Sequence, residues 1–202
     1  MRIVCLDLEG VLVPEIWIEF SRRTGIDELK RTTRDEPDYD KLMRGRLAIL
    51  RERRLGLAAI QDVISAMGPM EGARTFLDAL RADYQVIILS DTFYEFARPL
   101  MRQLGLPTLF CHSLVVDGGG MIADYRLRMP DQKREAVKRL KELNFRVVAA
   151  GDSYNDTAML AEAHGGILFH PPENVVREFP QFPVTRDYPS LRREIDRAFE
   201  RS

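Results

Sequence analysis

The chain has 202 residues, a formal net charge of −1, 45% hydrophobic residues and 30% charged residues. That is enough chain to bury the core of one domain, or of one domain with an insertion. It excludes a disordered, collagen-like or disulfide-stapled protein, and the near-neutral charge argues against a polyanion binder along the whole length.

Residues 2–8 form a short apolar run that predicts a buried strand ending in a loop at Glu9-Gly10. Cys5 lies inside that run and reads as a buried free thiol. With Cys111 as the only other cysteine, neither a zinc site nor a disulfide framework is expected. Residues 15–67 read as helical, with breaks at Ile26-Asp27 and Glu36-Pro37-Asp38, and Gly68-Pro69 closes the stretch. About fifty helical residues between two strands suggest an inserted cap rather than one crossover. The predicted division is therefore residues 1–13 and 71–202 as an α/β core, and 14–70 as a helical cap.

Residues 71–82 fit an amphipathic helix, and Tyr84 to Leu89 fit a central buried strand. Ser90-Asp91-Thr92 offers N-cap chemistry for a helix to about residue 104. An apolar segment follows at Thr108 to Cys111, then a hairpin over Leu114 to Leu127 turning at Asp117-Gly118-Gly119-Gly120. Pro130-Asp131 opens a helix with Val137, Leu140 and Leu143 on one face. Residues 146–150 predict a strand ending in Gly151-Asp152, and a helix follows from Asp156. A strand at Gly166 to Phe169, a helical piece near 173–178 and a helix from about Ser190 complete the chain. Strands alternating with helices imply a Rossmann-like, doubly wound parallel sheet covered on both faces. The N-terminus has no basic segment followed by a long apolar region, and no stretch approaches a membrane span, so a cytoplasmic protein is the expectation.

Ligands of open α/β sheets bind beyond the carboxyl ends of the strands. Here those ends carry Asp7 with Glu9, Ser90 with Asp91, and Asp152 with Asn155 and Asp156. Asp7 and Glu9 stand two apart, so an extended backbone points them the same way. Paired carboxylates can divide labour, one ionised and one holding a proton. Adding Asp152 and Asp156 makes an anionic rim that needs a cation, and hard oxygen ligands suggest Mg²⁺. Lys133 falls in the first turn of its helix, where the dipole favours anions, so it is out of place as a structural residue. A nucleophilic carboxylate, a neighbouring proton shuttle, a metal carboxylate, a hydroxyl and a Lys together describe phosphoryl transfer through an aspartyl-phosphate.

These segments resemble the motifs of the haloacid dehalogenase-like phosphatases. Asp7-Leu8-Glu9-Gly10-Val11 is similar to the first motif, Ser90 to the second, Lys133 to the third and Gly151-Asp152-Ser153-Tyr154-Asn155-Asp156 to the fourth. The helical insertion resembles the small cap of the phosphoserine phosphatase branch, most of all the variant that also transfers phosphate from phosphoserine to homoserine. The resemblance implies that Asp7 attacks phosphorus and that Glu9 is the acid/base. It implies Mg²⁺ held by the Asp7 side chain, the Glu9 carbonyl and Asp152, with Asp156 behind them. Ser90 and Lys133 would hold phosphoryl oxygens, and Asn155 would position substrate. The E-x-x-x-E start of the cap, Glu15 and Glu19, favours an amino-acid phosphate. Glu15 would meet its ammonium and an Arg its carboxylate: Arg51 fits a gapped register, Arg46 or Arg54 the others.

The chain departs from the usual pattern at three points. Glu9 replaces a second Asp, Asp91-Thr92 replaces a Gly pair and puts a negative side chain near the phosphate, and Tyr154 puts an aromatic at the rim. These departures leave the acceptor open between water and an alcohol. The expected partners are small molecules, phosphoserine and homoserine, with no nucleic acid and no membrane; a homodimer stays open. A hydrolase of another small phosphomonoester and a non-catalytic phospho-acceptor module are the alternatives. Nine arginines between positions 22 and 54 read mainly as a solvated helix face, without the aromatic pattern of a nucleic-acid binder. His112, His164 and His170 lack metal spacing and read as surface or core-edge residues.

Overall fold

The computed structural model describes residues 1–32, 35, 36 and 38–201. Seven strands form one sheet in the order β4-β3-β2-β1-β5-β6-β7. They are β1 (Arg2–Leu6), β2 (Gln85–Phe93), β3 (Thr108–Val116), β4 (Ile122–Arg126), β5 (Arg146–Gly151), β6 (Gly165–Phe169) and β7 (Val184–Thr185). Only β4 runs antiparallel, as the return strand of the expected hairpin. The two-residue edge strand β7 is too short to show a period and was invisible to sequence patterning.

The apolar runs are strands because both faces of the sheet are covered. Val4 and Leu6 enter one hydrophobic cluster, while Ile3 and Cys5 enter the other. Val148 and Ala150 alternate in the same way with Val147 and Ala149. That is the period of two expected of a strand, hidden in the sequence because both sets are apolar. Helices α4 (Ala73–Asp83) and α9 (Tyr188–Arg201) supply the first cluster with Phe76, Leu77, Leu191 and Phe199. Helices α6 (Gln132–Glu142), α7 (Thr157–Glu162) and α8 (Glu173–Glu178) supply the second with Val137, Leu160 and Val175. Leu143 departs from its expected buried face: α6 ends at Glu142 and Leu143 is exposed. Both cysteines are buried free thiols, as expected. Among the described residues no helix is long and apolar enough to cross a membrane.

The chain leaves the sheet after β1 through a tight turn, in which the N–H groups of Leu12 and Val13 both donate to the Leu8 carbonyl. It returns beside its exit, where the Met70 N–H donates to the Leu12 carbonyl at 2.9 Å. Between these points lie α1 (Ile16–Thr24), a 3-10 turn at Asp27–Lys30, α2 (Tyr39–Glu52) and α3 (Leu57–Ser65). Pro37, at the centre of one expected break, lies outside the described residues. The inserted helices share one apolar cluster with α5 (Tyr94–Gln103): Ile60 and Ile64 join Phe96, Ala97 and Leu100. Two polar ties add to this packing, from the Leu57 N–H to the Gly120 carbonyl and from the Tyr125 hydroxyl to Asp40.

One local expectation is corrected. Ser90-Asp91-Thr92 does not cap α5; β2 runs on through Phe93, which holds the N-cap position with no side-chain hydrogen bond. The reason lies in the pairing of β2 with β3. Leu89 faces Phe110, but the next matched pair is Phe93 with His112, so β2 carries two extra residues there. Such an irregularity keeps the backbone extended while re-aiming the side chains, here into the cavity at the strand ends.

Candidate active site

The carboxyl ends of β1, β2 and β5 meet below α1 and α2 and enclose a cavity of about 280 Å³. Asp7, Glu9, Ser90, Asp91, Lys133 and Asn155 line it from the sheet side, and Glu15, Trp17, Tyr39 and Arg46 from the inserted helices. The structure thus brings together most of the residues singled out in the sequence.

Asp7 follows β1 and is buried. Its Oδ1 accepts from the Leu8 N–H at 2.8 Å and lies 2.9 Å from Lys133 Nζ. Lys133 Nζ also donates to Asp156 Oδ1 at 2.8 Å and lies 3.7 Å from Asp91 Oδ2. Burial works against the ammonium, but Asp156, Asp7 and Asp91 more than offset it and hold the Lys133 pKa well above the ordinary value. The Lys that is out of place on its own helix is therefore the cation that three strand-end carboxylates require.

Burial pushes Asp7 well above the usual carboxylate range, with Asp156 and Asp152 adding repulsion against the pull of Lys133. Burial, Asp156 and Glu15 raise Asp152 to about 7. Glu9 reaches about 8, through burial first and then Glu15. Its Oε2 accepts from the Ile16 N–H at 2.8 Å. At neutral pH Glu9 therefore retains a proton in this state of the site, as a general acid must.

Asp7, Asp152 and Asp156 offer oxygens that all lie within 4.8 Å of one another. Hard carboxylate oxygens this close together, with Asp7 and Asp152 both raised, fit a divalent cation such as Mg²⁺. The shape of the turn supports the fit. Gly10 has φ +75°, and a Cβ there would lie 2.4 Å from the Asp152 carboxylate. Its missing side chain is the space that carboxylate occupies. Gly10→Ala is expected to weaken Mg²⁺ binding by about tenfold or more, read by Mg²⁺ titration of activity. Unchanged Mg²⁺ dependence would show that Asp152 is not the group this turn accommodates.

Two members of the expected metal set stand differently from the rest. Asp156 is fully buried, with Oδ1 on Lys133 and Oδ2 accepting from the Asp152 and Ser153 N–H groups at 3.0 and 3.1 Å. A Cβ on Gly151 would lie 2.3 Å from the Asp156 carboxyl carbon, so that glycine makes room for it. Asp156 ties the loop to Lys133 and has little freedom left to reach a cation. The Glu9 carboxyl is turned to the Ile16 N–H and lies outside the cluster, which leaves its backbone carbonyl as the group to consider.

The structure separates the candidate arginines. Arg46 is buried, lines the cavity and lies 4.5 Å from the Trp17 ring centroid. One guanidinium nitrogen donates to the Arg31 carbonyl at 2.6 Å, while its Nε is buried without a partner. Burial lowers its pKa to about 10, which still leaves it charged at neutral pH. Arg51 is corrected: it is exposed and does not line the cavity. Five residues turn a helix by roughly 140°, so Arg46 and Arg51 cannot both face inward on α2. Arg54, beyond the end of α2, is exposed as well. Glu15 lines the cavity, whereas Glu19 is drawn to Arg22 and Arg23 and falls to about 2.

Of the other side chains at the site, His112, Gln132 and Tyr39 carried no sequence signal. His112, expected at the surface or core edge, is buried with Nε2 3.7 Å from Asp91. Gln132 is buried beside Lys133 and donates to Asp91 at 3.0 Å. The Asn155 amide donates to Asp91 at 3.2 Å, and the Tyr39 hydroxyl reaches the Asp91 carbonyl at 3.4 Å. A lone His and a Gln have no characteristic spacing; only the fold places them behind the cavity.

Residues 1–164 match the haloacid dehalogenase-like hydrolase family, and the chain belongs to that family. Within it, the chain is 62% identical over 202 residues to a phosphoserine phosphatase (ThrH) of Pseudomonas aeruginosa, covering 100% of this chain and 98% of that one. It is 59% identical over 201 residues to a phosphoserine phosphatase of Pseudomonas syringae, covering 100% and 85%. The fold is that of an apo phosphoserine phosphatase, with a TM-score of 0.76 at 22% identity over 95% of this chain and 98% of that one. A phosphoserine phosphatase with a phospho-aspartyl intermediate analogue also gives 0.76, at 21% identity over 95% and 97%.

Proposed function

We propose that this protein is a Mg²⁺-dependent phosphoserine phosphatase that works through an aspartyl-phosphate on Asp7, with water or the hydroxyl of homoserine as the acceptor. The observation that carries this reading is the order of groups in one cavity. Asp7 and Lys133 lie at its base, Glu9 lies beside them, and Glu15 with Arg46 lies on the wall formed by the inserted helices. Phosphate, leaving oxygen and amino-acid headgroup each find a partner in that sequence. A phospho-acceptor module needs no such headgroup wall. The two relatives above 55% identity carry the name of the same activity. Residues 14–70 act as the cap in this reading, and 1–13 with 71–202 as the core.

Asp7 and Asp152 would hold the Mg²⁺, whose positive charge would keep both ionised and offset the charge of the phosphoryl group. An Asp7 carboxylate oxygen attacks phosphorus, and the bond from phosphorus to the serine oxygen breaks. Glu9 gives its proton to that oxygen, and serine leaves neutral at its hydroxyl. The ionised Glu9 then takes a proton from water or from an alcohol as its oxygen attacks phosphorus, and Asp7 is released. Ser90 and Lys133 hold phosphoryl oxygens throughout. Arg46 takes the substrate carboxylate with its planar fork, and Glu15 takes the ammonium.

³¹P NMR with Mg²⁺ and phosphoserine, with and without homoserine, tests the reading. Free phosphate supports the hydrolase, phosphohomoserine supports transfer, and neither product rejects the substrate. Arg46→Ala is expected to raise KM for phosphoserine by about 10- to 100-fold while barely moving KM for p-nitrophenyl phosphate. Arg51→Ala should change neither. The reverse pattern would move carboxylate recognition to the outer face of α2.

A further inference from the structure

We infer that Gln132 is a positioning residue that holds the Asp91 carboxylate out of hydrogen-bond distance of Lys133, leaving the ammonium to bind phosphate. The inference rests on the phosphoryl-binding role proposed above for Ser90 and Lys133. At Ser90–Thr92, β2 falls out of register with β3, and the Ser90 carbonyl is turned to Gln132. The Gln132 amide takes that carbonyl and also donates to Asp91 Oδ1 at 3.0 Å. His112 Nδ1 accepts from the Arg128 N–H at 3.0 Å, which assigns the ring hydrogen to Nε2. That nitrogen lies 3.7 Å from the same Asp91 oxygen. The other oxygen, Oδ2, accepts from Asn155 at 3.2 Å and lies 3.7 Å from Lys133 Nζ.

Asp91 is therefore held by Gln132 on Oδ1 and by Asn155 on Oδ2, while His112 Nε2 and Lys133 Nζ each stand 3.7 Å away, just beyond hydrogen-bond distance. An ionised carboxylate beside a phosphate site repels the phosphate and competes for its Lys. Restrained at this distance, it leaves the ammonium available. Freed, it closes on Lys133 and displaces the anion. The neutral Gln132 amide suits this task because it supplies both donors without adding a charge to the site. Its Oε1 is buried and has no hydrogen-bond partner, so the side chain is kept there for its donors alone.

Calorimetric binding of inorganic phosphate to the Mg²⁺-loaded protein tests this. Gln132→Met keeps the volume of the side chain and removes both donors. Gln132→Met is expected to weaken phosphate about tenfold. Adding Asp91→Asn, which removes the competing charge, should bring the affinity within about twofold of the Asp91→Asn single variant. A merely structural role would leave the double variant as weak as Gln132→Met, and that result overturns the inference. So does unchanged affinity in Gln132→Met. Gln132→Leu is the second variant, expected to weaken phosphate in the same direction and to be restored by the same Asp91→Asn change; failure of that restoration also overturns it. Phosphoserine turnover by the unaltered protein is read alongside. Its absence with phosphate binding intact removes the substrate reading and leaves this one standing.

Discussion

Asp7→Asn is expected to lower phosphoserine turnover by at least about four orders of magnitude and to leave the protein folded. In the proposed route the nucleophile is one Asp7 carboxylate oxygen, and an amide is a poor nucleophile whichever way it is turned. The substitution conserves shape in a site where shape is demanding: Asp7 is 4% exposed, and its Oδ1 accepts from the Leu8 N–H and faces Lys133. An Asn oxygen accepts both. Removing one of three crowded carboxylates also relieves repulsion from Asp156 and Asp152 in the metal-free protein. The melting temperature in chelator is therefore expected to hold or rise. A variant that retains more than about one per cent of turnover would end the covalent route through Asp7.

The metal-free protein is expected to lose stability as pH rises from about 5 to 8, and Mg²⁺ is expected to restore it. The direction follows from which state holds more protons. Glu9 moves from 4.5 to about 8 and Asp152 from 3.8 to about 7, and Asp7 shifts the same way. Over this range the unfolded chain has released these protons and the native chain still holds them, so stability falls with rising pH. His112, pushed down by burial, works the other way as pH rises toward 6.5, but it is one group against three carboxyls. Lys133 titrates above this window, and the depressed carboxyl of Glu19 titrates below it. A divalent cation binds the ionised carboxylates, so its stabilisation grows with pH. The gain in melting temperature on adding Mg²⁺ should be larger at pH 8 than at pH 5, by roughly 5 °C. An equal gain at both values, or a chelated protein that grows more stable toward pH 8, would show that burial and repulsion do not raise Glu9, Asp152 and Asp7 as described.

Much of the site was readable along the chain because its chemistry sits where strands end. The apolar runs before Asp7, Ser90 and Asp152 are unmistakable, since a parallel strand buried on both faces must be apolar throughout. Position at a strand end then places each polar residue on one rim. Lys133 stood out because a cation at a helix N-terminus contradicts local electrostatics, and a contradiction of that kind points to a partner elsewhere. The order of these segments, together with the helical stretch after the first, sufficed to define the family.

Other features depended on distance across the fold, which the chain does not spell out. Arg46 and Arg51 both sit on α2, and only the packing of α2 over the cavity determines that Arg46 faces in. Ser90 reads locally as a helix cap; the broken register between β2 and β3 keeps it in a strand and turns it to the site. Asp156 reads as one more metal ligand until its oxygens are seen engaged by Lys133 and two N–H groups. His112 and Gln132 are ordinary residues in sequence and meet Asp91 only because β3 and α6 flank the same strand end. The sequence by itself determined which residues carry charge or nucleophilic chemistry and which segments bury, because these depend on residue type and short-range period. The tertiary structure alone decided which of those charges meet, because pairing depends on helix phase and strand register between segments far apart in the chain.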